Sequence, residues 1–266
     1  MTGVKPQVMV VIPARYGSSR FPGKPLVMLG RKPLIQLVYE QAASCRSVKE
    51  VLVATDDERI RDAVERFGGR AVMVTGDYRT GTDRVAAVAR TVPGEYFVNL
   101  QGDEIPVTPA LLEDLIEPFL GCDADMGTLK RAMDTENALD NPAVVKVVTD
   151  SQGYALYFSR APIPLVRDGI RGQVASRLHY VHLGLYIYRH EALLRFAGWP
   201  TSQLEDAEKL EQLRALQQGM RIRVWETSHR SLRVDTPEDA VEVADKLRQY
   251  ESQKQEPRVG KTVSAR

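Results

Sequence analysis

Cysteine is scarce in this chain of 266 residues: only Cys45 and Cys122 occur. Two are too few for a disulfide framework, so both read as reduced core thiols. Long apolar runs are missing as well. None approaches the ~18 residues of a membrane span. The run Val8–Ile12 is too short, and too soon broken by Pro13, for a signal peptide. The expectation is a cytoplasmic protein with no membrane partner. Neither sign of charge dominates, with 36 Lys+Arg against 35 Asp+Glu and a net charge of +1. Nothing in that balance suggests a nucleic-acid or membrane surface, both of which need a clustered basic excess, so any anion site must be local. No GxSxG elbow or Cys/His cluster is present, which argues against a covalent nucleophile. His179 and His182, three apart on an expected strand, face opposite ways and make no zinc pair. No internal repeat is found.

The first half of the chain alternates strand and helix. Strand signals lie at Val8–Ile12, Val51–Ala54, Ala71–Val74 and Tyr96–Leu100. Helical patterns lie between them at Pro33–Ala43, Glu58–Phe67 and Thr82–Ala89, with Gly68-Gly69 as a stop after the second. Such a βαβ rhythm predicts an α/β domain whose mostly parallel sheet is flanked by helices. The second half predicts a smaller β-rich lobe at about 125–190, with strands at Val144–Val148, Tyr154–Phe158 and Tyr180–Tyr188. One amphipathic helix over Leu204–Gln217, a strand at Ile222–Trp225 and a last helix from Pro237, capped near Asp235 or Thr236, complete a domain spanning 7–250. The polar stretch 251–266 reads as a loose tail.

The most informative stretch is VMVVIPARYGSSRFPGKPL, from Val8 to Leu26. An apolar strand buried on both faces ends at Pro13 and enters a loop of small residues (Gly17, Ser18, Ser19, Gly23) holding Arg15, Arg20 and Lys24. Small residues let backbone N–H groups approach a ligand, and the cations favour a strongly negative one, as in a polyphosphate site. This is not a Walker A loop. Gly17 and Gly23 enclose five residues and Pro25 follows Lys24, so the hydroxyl that would hold Mg²⁺ is absent. The GxGxxG dinucleotide fingerprint is absent too.

In a parallel sheet ligands bind beyond the carboxyl ends of the strands, where both this loop and Gln101-Gly102-Asp103 would fall. Asp103 follows an apolar strand in YFVNLQGDE, and Asp235 stands in VDTPED. Each could simply cap a turn or helix. Beside a triphosphate loop the alternative is that both bind Mg²⁺, which is usually held by one or two carboxylates plus phosphate oxygens. Thr80-Gly81-Thr82-Asp83-Arg84 reads as a helix start, capped by Thr80 or Thr82, whose free N–H groups could also meet a base carbonyl.

The string PARYGSSRFPGKPL resembles the signature of the sugar-activating cytidylyltransferases, and within them the 3-deoxy-manno-octulosonate (Kdo) cytidylyltransferases. The resemblance covers roughly residues 7 to 250. It implies a GT-A-like nucleotidyltransferase fold and formation of a CMP-sugar and pyrophosphate from CTP and an acidic 3-deoxy sugar, for lipopolysaccharide biosynthesis. It implies Arg15, Lys24, Asp103 and Asp235 as catalytic residues, the two Asp as ligands of an Mg²⁺ cofactor, and a homodimer through the β-rich lobe. It also implies a nucleotide site of Ala14, Arg15, Gly17, Ser18, Ser19, Arg20, Lys24, Thr80, Gly81, Thr82, Arg84 and Gln101. YALYFSRAPIP, HLGLY and LEQLR resemble sugar-site segments, which makes Gln101, Arg160, His182, Tyr186, Glu211 and Gln212 the sugar-binding candidates.

Two departures stand out. Asp103-Glu104-Ile105-Pro106 has its proline one place later than usual, and Arg233 stands where Kdo enzymes commonly carry Gly. With LEDAEK at 204–209, these resemble the branch activating 8-amino-3,8-dideoxy-manno-octulosonate, which is kept as the alternative substrate. More distant alternatives are a GT-A glycosyltransferase, whose DxD motif is here reduced to the Asp of Gln101-Gly102-Asp103, and a non-catalytic nucleotide-sugar sensor, which would be expected to lose a metal carboxylate or the loop lysine.

Overall fold

A computed structural model describes residues 6–17, 21–106, 108–133, 138–167 and 178–255. The first strand, β1 (Val8–Pro13), is buried along almost all its length. Its alternate side chains enter two cores: Val8, Val10 and Ile12 on one face, Met9 and Val11 on the other. Period-2 alternation across a sheet covered on both sides produces this split. A short hairpin, β2 (Met28–Leu29) with β3 (Lys32–Pro33), leads into helix α1 (Leu34–Ala43). Then come β4 (Glu50–Thr55), α2 (Glu58–Arg66), β5 (Ala71–Met73), α3 (Gly81–Ala89) and β6 (Tyr96–Asn99). β1 pairs in parallel with both β4 and β6, and β4 in parallel with β5.

The chain thus leaves β1 toward β4 and β5, then returns through α3 to β6 on the other side of β1. Strand order reverses between β1 and β6, and a crevice opens beyond their carboxyl ends at such a switch point. Helices α1 and α4 (Ala110–Leu120) pack with Val8, Val10 and Ile12. The opposite face is covered by α3 and α5 (His190–Gly198).

The second half continues the same sheet. β7 (Glu104–Pro106) precedes α4, and β8 (Met126–Ala132), β9 (Lys146–Thr149), β10 (Ala155–Ser159) and the long β11 (Tyr180–Arg189) follow it. β11 runs antiparallel to β6, β8 and β9, which ties the β-rich segment to the parallel core in a nine-stranded sheet. Helices α4 and α5 were not anticipated from the sequence, and β8, though inside the expected β-rich segment, was not assigned as a strand. α4 carries Pro118 inside it, and β8 holds a Gly and two cations, which blurs both patterns.

The helix expected over Leu204–Gln217 is two helices, α6 (Gln203–Glu208) and α7 (Gln212–Gln217), joined through Lys209 at φ 52°. The Arg160 guanidinium donates to the carbonyls of Glu208 (2.7 Å) and Lys209 (3.4 Å), taking acceptors that a continuous helix would use for its own ladder. β12 (Ile222–Glu226) pairs in parallel with β8; β13 (Ser231–Arg233) pairs with β7. The last helix, α8 (Pro237–Gln255), extends past Tyr250, where the domain was expected to end. Cys45 and Cys122 are free thiols; Cys45 is buried, whereas Cys122 is only half-buried. No described helix is long and apolar enough to cross a membrane.

Candidate active site

Beyond the ends of β1 and β6 lies a cleft of about 370 Å³. Pro13, Ala14 and Arg15 line it from β1, Lys24 and Pro25 from the following loop, Tyr78–Gly81 and Arg84 from the start of α3, and Gln101–Asp103 from β6. The loop closes locally: Gly23 N–H donates to the Tyr16 carbonyl (2.9 Å). Gly23 sits at φ 73°, in the left-handed region glycine favours, and starts a single 3₁₀ turn, Lys24–Leu26. That turn directs Lys24 across to the β6 edge. Arg15 is exposed on the cleft wall, while Gly17 lies outside its lining. Ser18, Ser19 and Arg20 lie outside the described residues.

Lys24 Nζ donates to Asp103 Oδ2 at 2.7 Å and lies 3.5 Å from Asp235 Oδ1. One ammonium therefore bridges the two carboxylates. Pairing of β7 with β13 brings them together, with Glu104 opposite Arg233, and the Val234 N–H donates to the Asp103 carbonyl at 3.0 Å. The helix cap belongs to neither. Asp239 accepts from the N–H groups of Asp235 (2.8 Å) and Thr236 (2.9 Å), and Thr236 Oγ1 accepts from Asp239 N–H, a reciprocal cap at the start of α8. Asp235 is thus relieved of capping, and Thr236 fills that role. The pair of carboxylates presents oxygen donors to a cation, the chemistry suited to Mg²⁺ when phosphate oxygens complete its shell. Among the described residues no group of three or more His, Cys, Asp or Glu could hold a metal ion unaided.

The other wall of the cleft is the N-terminus of α3. Thr80 caps it reciprocally with Asp83, leaving Gly81 against Pro13 and Gln101; a Cβ at Gly81 would come within 3.1 Å of Pro13. Arg84 pairs with Asp56 at 2.7 Å, and its guanidinium lies 5.4 Å from the Tyr78 ring centroid. Arg84 Nη1 is buried without a hydrogen-bond partner among the described residues, so a donor remains for a ligand. Sequence reasoning missed Tyr78 and Arg79. Arg79, whose Nη1 donates to Thr201 Oγ1 (2.6 Å), is a further cleft cation directly before the Thr80 segment.

Behind the wall runs a buried chain of polar side chains. Gln101 Nε2 donates to Asn99 Oδ1 (2.9 Å), Asn99 Nδ2 to Thr82 Oγ1 (2.9 Å), and Thr82 Oγ1 to the Glu211 carboxylate. Burial raises the Glu211 pKa, with the hydrogen bond from Thr82 opposing the shift. Tyr186 pairs with Asn99 across the β11–β6 ladder, and the His182 ring lies 5.4 Å from the Tyr186 ring. Thr128 Oγ1 donates its only proton to a β11 carbonyl, Leu185 O at 2.8 Å, so its 3.0 Å contact with His182 Nε2 makes that nitrogen the donor. Burial holds the imidazole neutral, with its pKa lowered to about 3. Gln212 is buried, its Nε2 without a partner among the described residues.

Of the six sugar candidates, Gln101 lines the cleft; Glu211, Tyr186 and His182 follow behind it, and Gln212 adjoins Glu211 in the chain. Arg160 lies apart. Besides Glu208 and Lys209 its guanidinium donates to the Pro142 carbonyl (2.8 Å), while the Glu208 carboxylate accepts from the Arg160 main-chain N–H (2.9 Å). His179 Nε2 contacts the Pro164 carbonyl at 2.9 Å, a structural tie rather than a metal site.

A parallel sheet with a switch-point cleft, walled by cations and edged by paired carboxylates, defines the nucleotidyltransferase class. The family model described as Cytidylyltransferase matches residues 9–222, and the chain belongs to that family. It is 50% identical to the 3-deoxy-manno-octulosonate cytidylyltransferase of Geobacter sulfurreducens, over 91% of this chain and 99% of that one. It is 47% identical to the enzyme of the same name from Thermodesulfovibrio yellowstonii, over 89% and 96%. Among solved structures, CMP:2-keto-3-deoxy-manno-octonic acid synthetase complexed with CTP superposes with a TM-score of 0.86 at 41% identity, covering 92% of this chain and 99% of that one. A putative glucose-1-phosphate thymidylyltransferase from Bacillus anthracis, with a TM-score of 0.62 at 17% identity over 90% and 94% of the two chains, shares the fold.

Proposed function

We propose that the protein is a 3-deoxy-manno-octulosonate cytidylyltransferase, forming a CMP-sugar and pyrophosphate from CTP and Kdo. The observation that carries this reading is the bridge Asp103–Lys24–Asp235 at the edge of the switch-point cleft. Arg15 and Lys24 would hold the triphosphate from the β1 loop, joined by Arg79 and Arg84 from the α3 side. The N-terminus of α3 offers Gly81 and Thr82 N–H groups to the base. Gln101, fixed by Asn99, stands between nucleotide and sugar. The sugar's anomeric hydroxyl oxygen bonds to the α-phosphorus, the α–β bridging bond breaks, and pyrophosphate leaves. The protein's contribution is chiefly alignment and charge stabilisation.

Asp103 and Asp235 would hold Mg²⁺, which when bound screens repulsion between the two anionic substrates and lowers the pKa of the attacking hydroxyl. Arg160, whose guanidinium is held by three carbonyls, is the cation offered to the sugar carboxylate. Kdo ranks above its 8-amino analogue because relatives at 46–50% identity carry the Kdo name. A homodimer through the β-rich segment fits the edge position of β10, where Leu156 is 62% exposed, and the 85% exposure of Leu165 beyond it. Cytoplasmic residence and a role in lipopolysaccharide biosynthesis accompany the reading.

Pyrophosphate release from CTP, followed in parallel with Kdo, 8-amino-Kdo and sialic acid, tests it. Kdo should give the highest kcat/KM; a preference for the amine would reassign the sugar, and inactivity with all three would reject the function.

A further inference from the structure

The carboxylate pair has a second resident cation. Arg233 Nε lies 2.9 Å from Asp235 Oδ2, on the opposite oxygen from the one facing Lys24. Strand β13 holds it there: Arg233 is paired with Glu104 in the short ladder that also joins Asp103 to Val234. Arg233 is 61% exposed, whereas Lys24 is 15% exposed, so water screens the outer cation more than the inner one. Asp103 and Asp235 thus face two cations before any ligand arrives, and the buried Glu104 carboxyl, which accepts from Ser231 Oγ, lies close to the same cluster.

We propose that Arg233 is a positioning residue that occupies Asp235 in the free protein and suppresses binding of a lone divalent cation, so that metal is retained only together with the nucleotide. The inference rests on the reading of Asp103 and Asp235 as metal ligands. Its physical basis is competition. A divalent ion approaching Asp235 meets a guanidinium already on one of its oxygens and an ammonium beside the other, and both like charges disfavour it. A triphosphate brings its own oxygens and negative charge. It would draw Lys24 toward the phosphates and offset the repulsion from Arg233, which a bare aquo-ion cannot do. Arg233 is what this arrangement adds to two Asp bridged by Lys24, and it is exposed enough to be changed without disturbing a core.

The test is Mn²⁺ titration of the nucleotide-free protein, read as loss of the free-ion EPR signal, for wild type, Arg233→Gln, Arg233→Lys and the double variant Arg233→Gln/Asp235→Asn. Arg233→Gln should bind Mn²⁺ about tenfold more tightly than wild type, the scale expected from removing one partly screened charge near the ion. Arg233→Lys should stay close to wild type, and Asp235→Asn should erase the gain. Equal Mn²⁺ affinity in wild type and Arg233→Gln overturns the proposal, as does a gain that survives Asp235→Asn. If either occurs while Asp103→Asn and Asp235→Asn still abolish metal-dependent CTP turnover, the metal assignment stands and only the role of Arg233 falls. If those two variants keep full turnover at limiting Mg²⁺, the assignment fails with it.

Discussion

Thr82 and Glu211, separated by 129 residues, share a hydrogen bond in which the threonine hydroxyl donates to the carboxylate. The bond joins the helix start beside the nucleotide cleft to the turn between α6 and α7, and through Asn99 it reaches Gln101. Because each hydroxyl and amide in this chain has a partner, its members orient one another. Glu211→Gln keeps the size but can disturb that orientation, since an amide nitrogen facing the Thr82 hydroxyl would reverse the donor. Turnover should fall by roughly 10²-fold, acting on the sugar's kcat/KM more than on CTP affinity. Stability should move the other way with pH. The folded pKa of Glu211 is raised by burial, so the protonated carboxyl favours folding below the unfolded value of 4.5, and that contribution is lost as pH rises through the folded value. The denaturant midpoint of Glu211→Gln should therefore gain on wild type as pH rises above 4.5, until the raised folded value is passed; a constant difference across that rise would contradict the shift.

Lys24→Ala should lower kcat/KM for CTP by roughly 10- to 150-fold, the loss of one charge-assisted contact worth about 1.5–3 kcal/mol. It also leaves Asp103 and Asp235 facing each other without their bridge. Mg²⁺ alone should therefore raise the melting temperature of this variant more than that of wild type. Unchanged CTP kinetics in a folded variant would remove the loop from the site.

The cap at α8 separates two roles that adjacent carboxylates could have shared. Asp239→Ala removes the acceptor of two N–H groups and should cost about 1 kcal/mol of stability with Mg²⁺ dependence largely kept. Asp235→Asn should show the reverse: a small change in melting temperature and a collapse of activity at limiting Mg²⁺. Asp103→Asn should behave like Asp235→Asn. Full activity at low Mg²⁺ in both Asn variants would refute the ligand assignment.

Much of this was legible in the sequence, and the limits are physical. The all-apolar Val8–Ile12 run announced a strand buried on both faces, and the βαβ rhythm put the loop after β1 and the Gln101–Asp103 turn on one sheet edge. What the residues could not disclose was convergence. Asp103 meets Asp235 because two strands of three residues each pair with one another, and no periodicity survives in so short a segment. The break at Lys209 escaped for a related reason. Alanine and leucines at 207, 210, 213 and 216 keep a helical spacing, while the acceptors that end the helix are captured by Arg160 from a remote strand end. Polar burial was equally silent. Lys146 is fully buried because three carbonyls, of Asn141, Val144 and Arg160, receive its ammonium.

His182 gives a pH-dependence of its own. Its folded pKa is about 3 against 6.5 for the free side chain, so it stays neutral in the fold while the unfolded chain takes up a proton. The stability it contributes is complete above pH 6.5 and is lost as pH falls toward 3. Between pH 6.5 and 4.5 wild type should lose roughly 2–3 kcal/mol more than His182→Gln, at 1.36 kcal/mol per pH unit. Urea unfolding at several pH values checks this, and parallel curves for the two proteins would contradict it.

The last expectation concerns the sugar carboxylate and Arg160, which is not among the residues lining the cleft. Three carbonyls hold the Arg160 guanidinium, and the described acceptors leave N–H donors on it for a ligand. A fork held this way can meet a carboxylate through two parallel N–H donors at little further cost in side-chain entropy. Lysine keeps the charge but cannot satisfy three carbonyls and still present two aligned donors. Arg160→Lys should therefore raise the KM for Kdo by roughly 10- to 100-fold while the KM for CTP stays within about twofold, an interaction worth about 1.5–3 kcal/mol. The same variant also weakens the hold on Glu208 and Lys209, so a structural effect alone would lower stability and disturb both substrates alike. Steady-state kinetics with each substrate varied in turn distinguish the two. A KM change shared equally by CTP and Kdo would assign Arg160 to the α6–α7 turn and leave the sugar carboxylate to another cation.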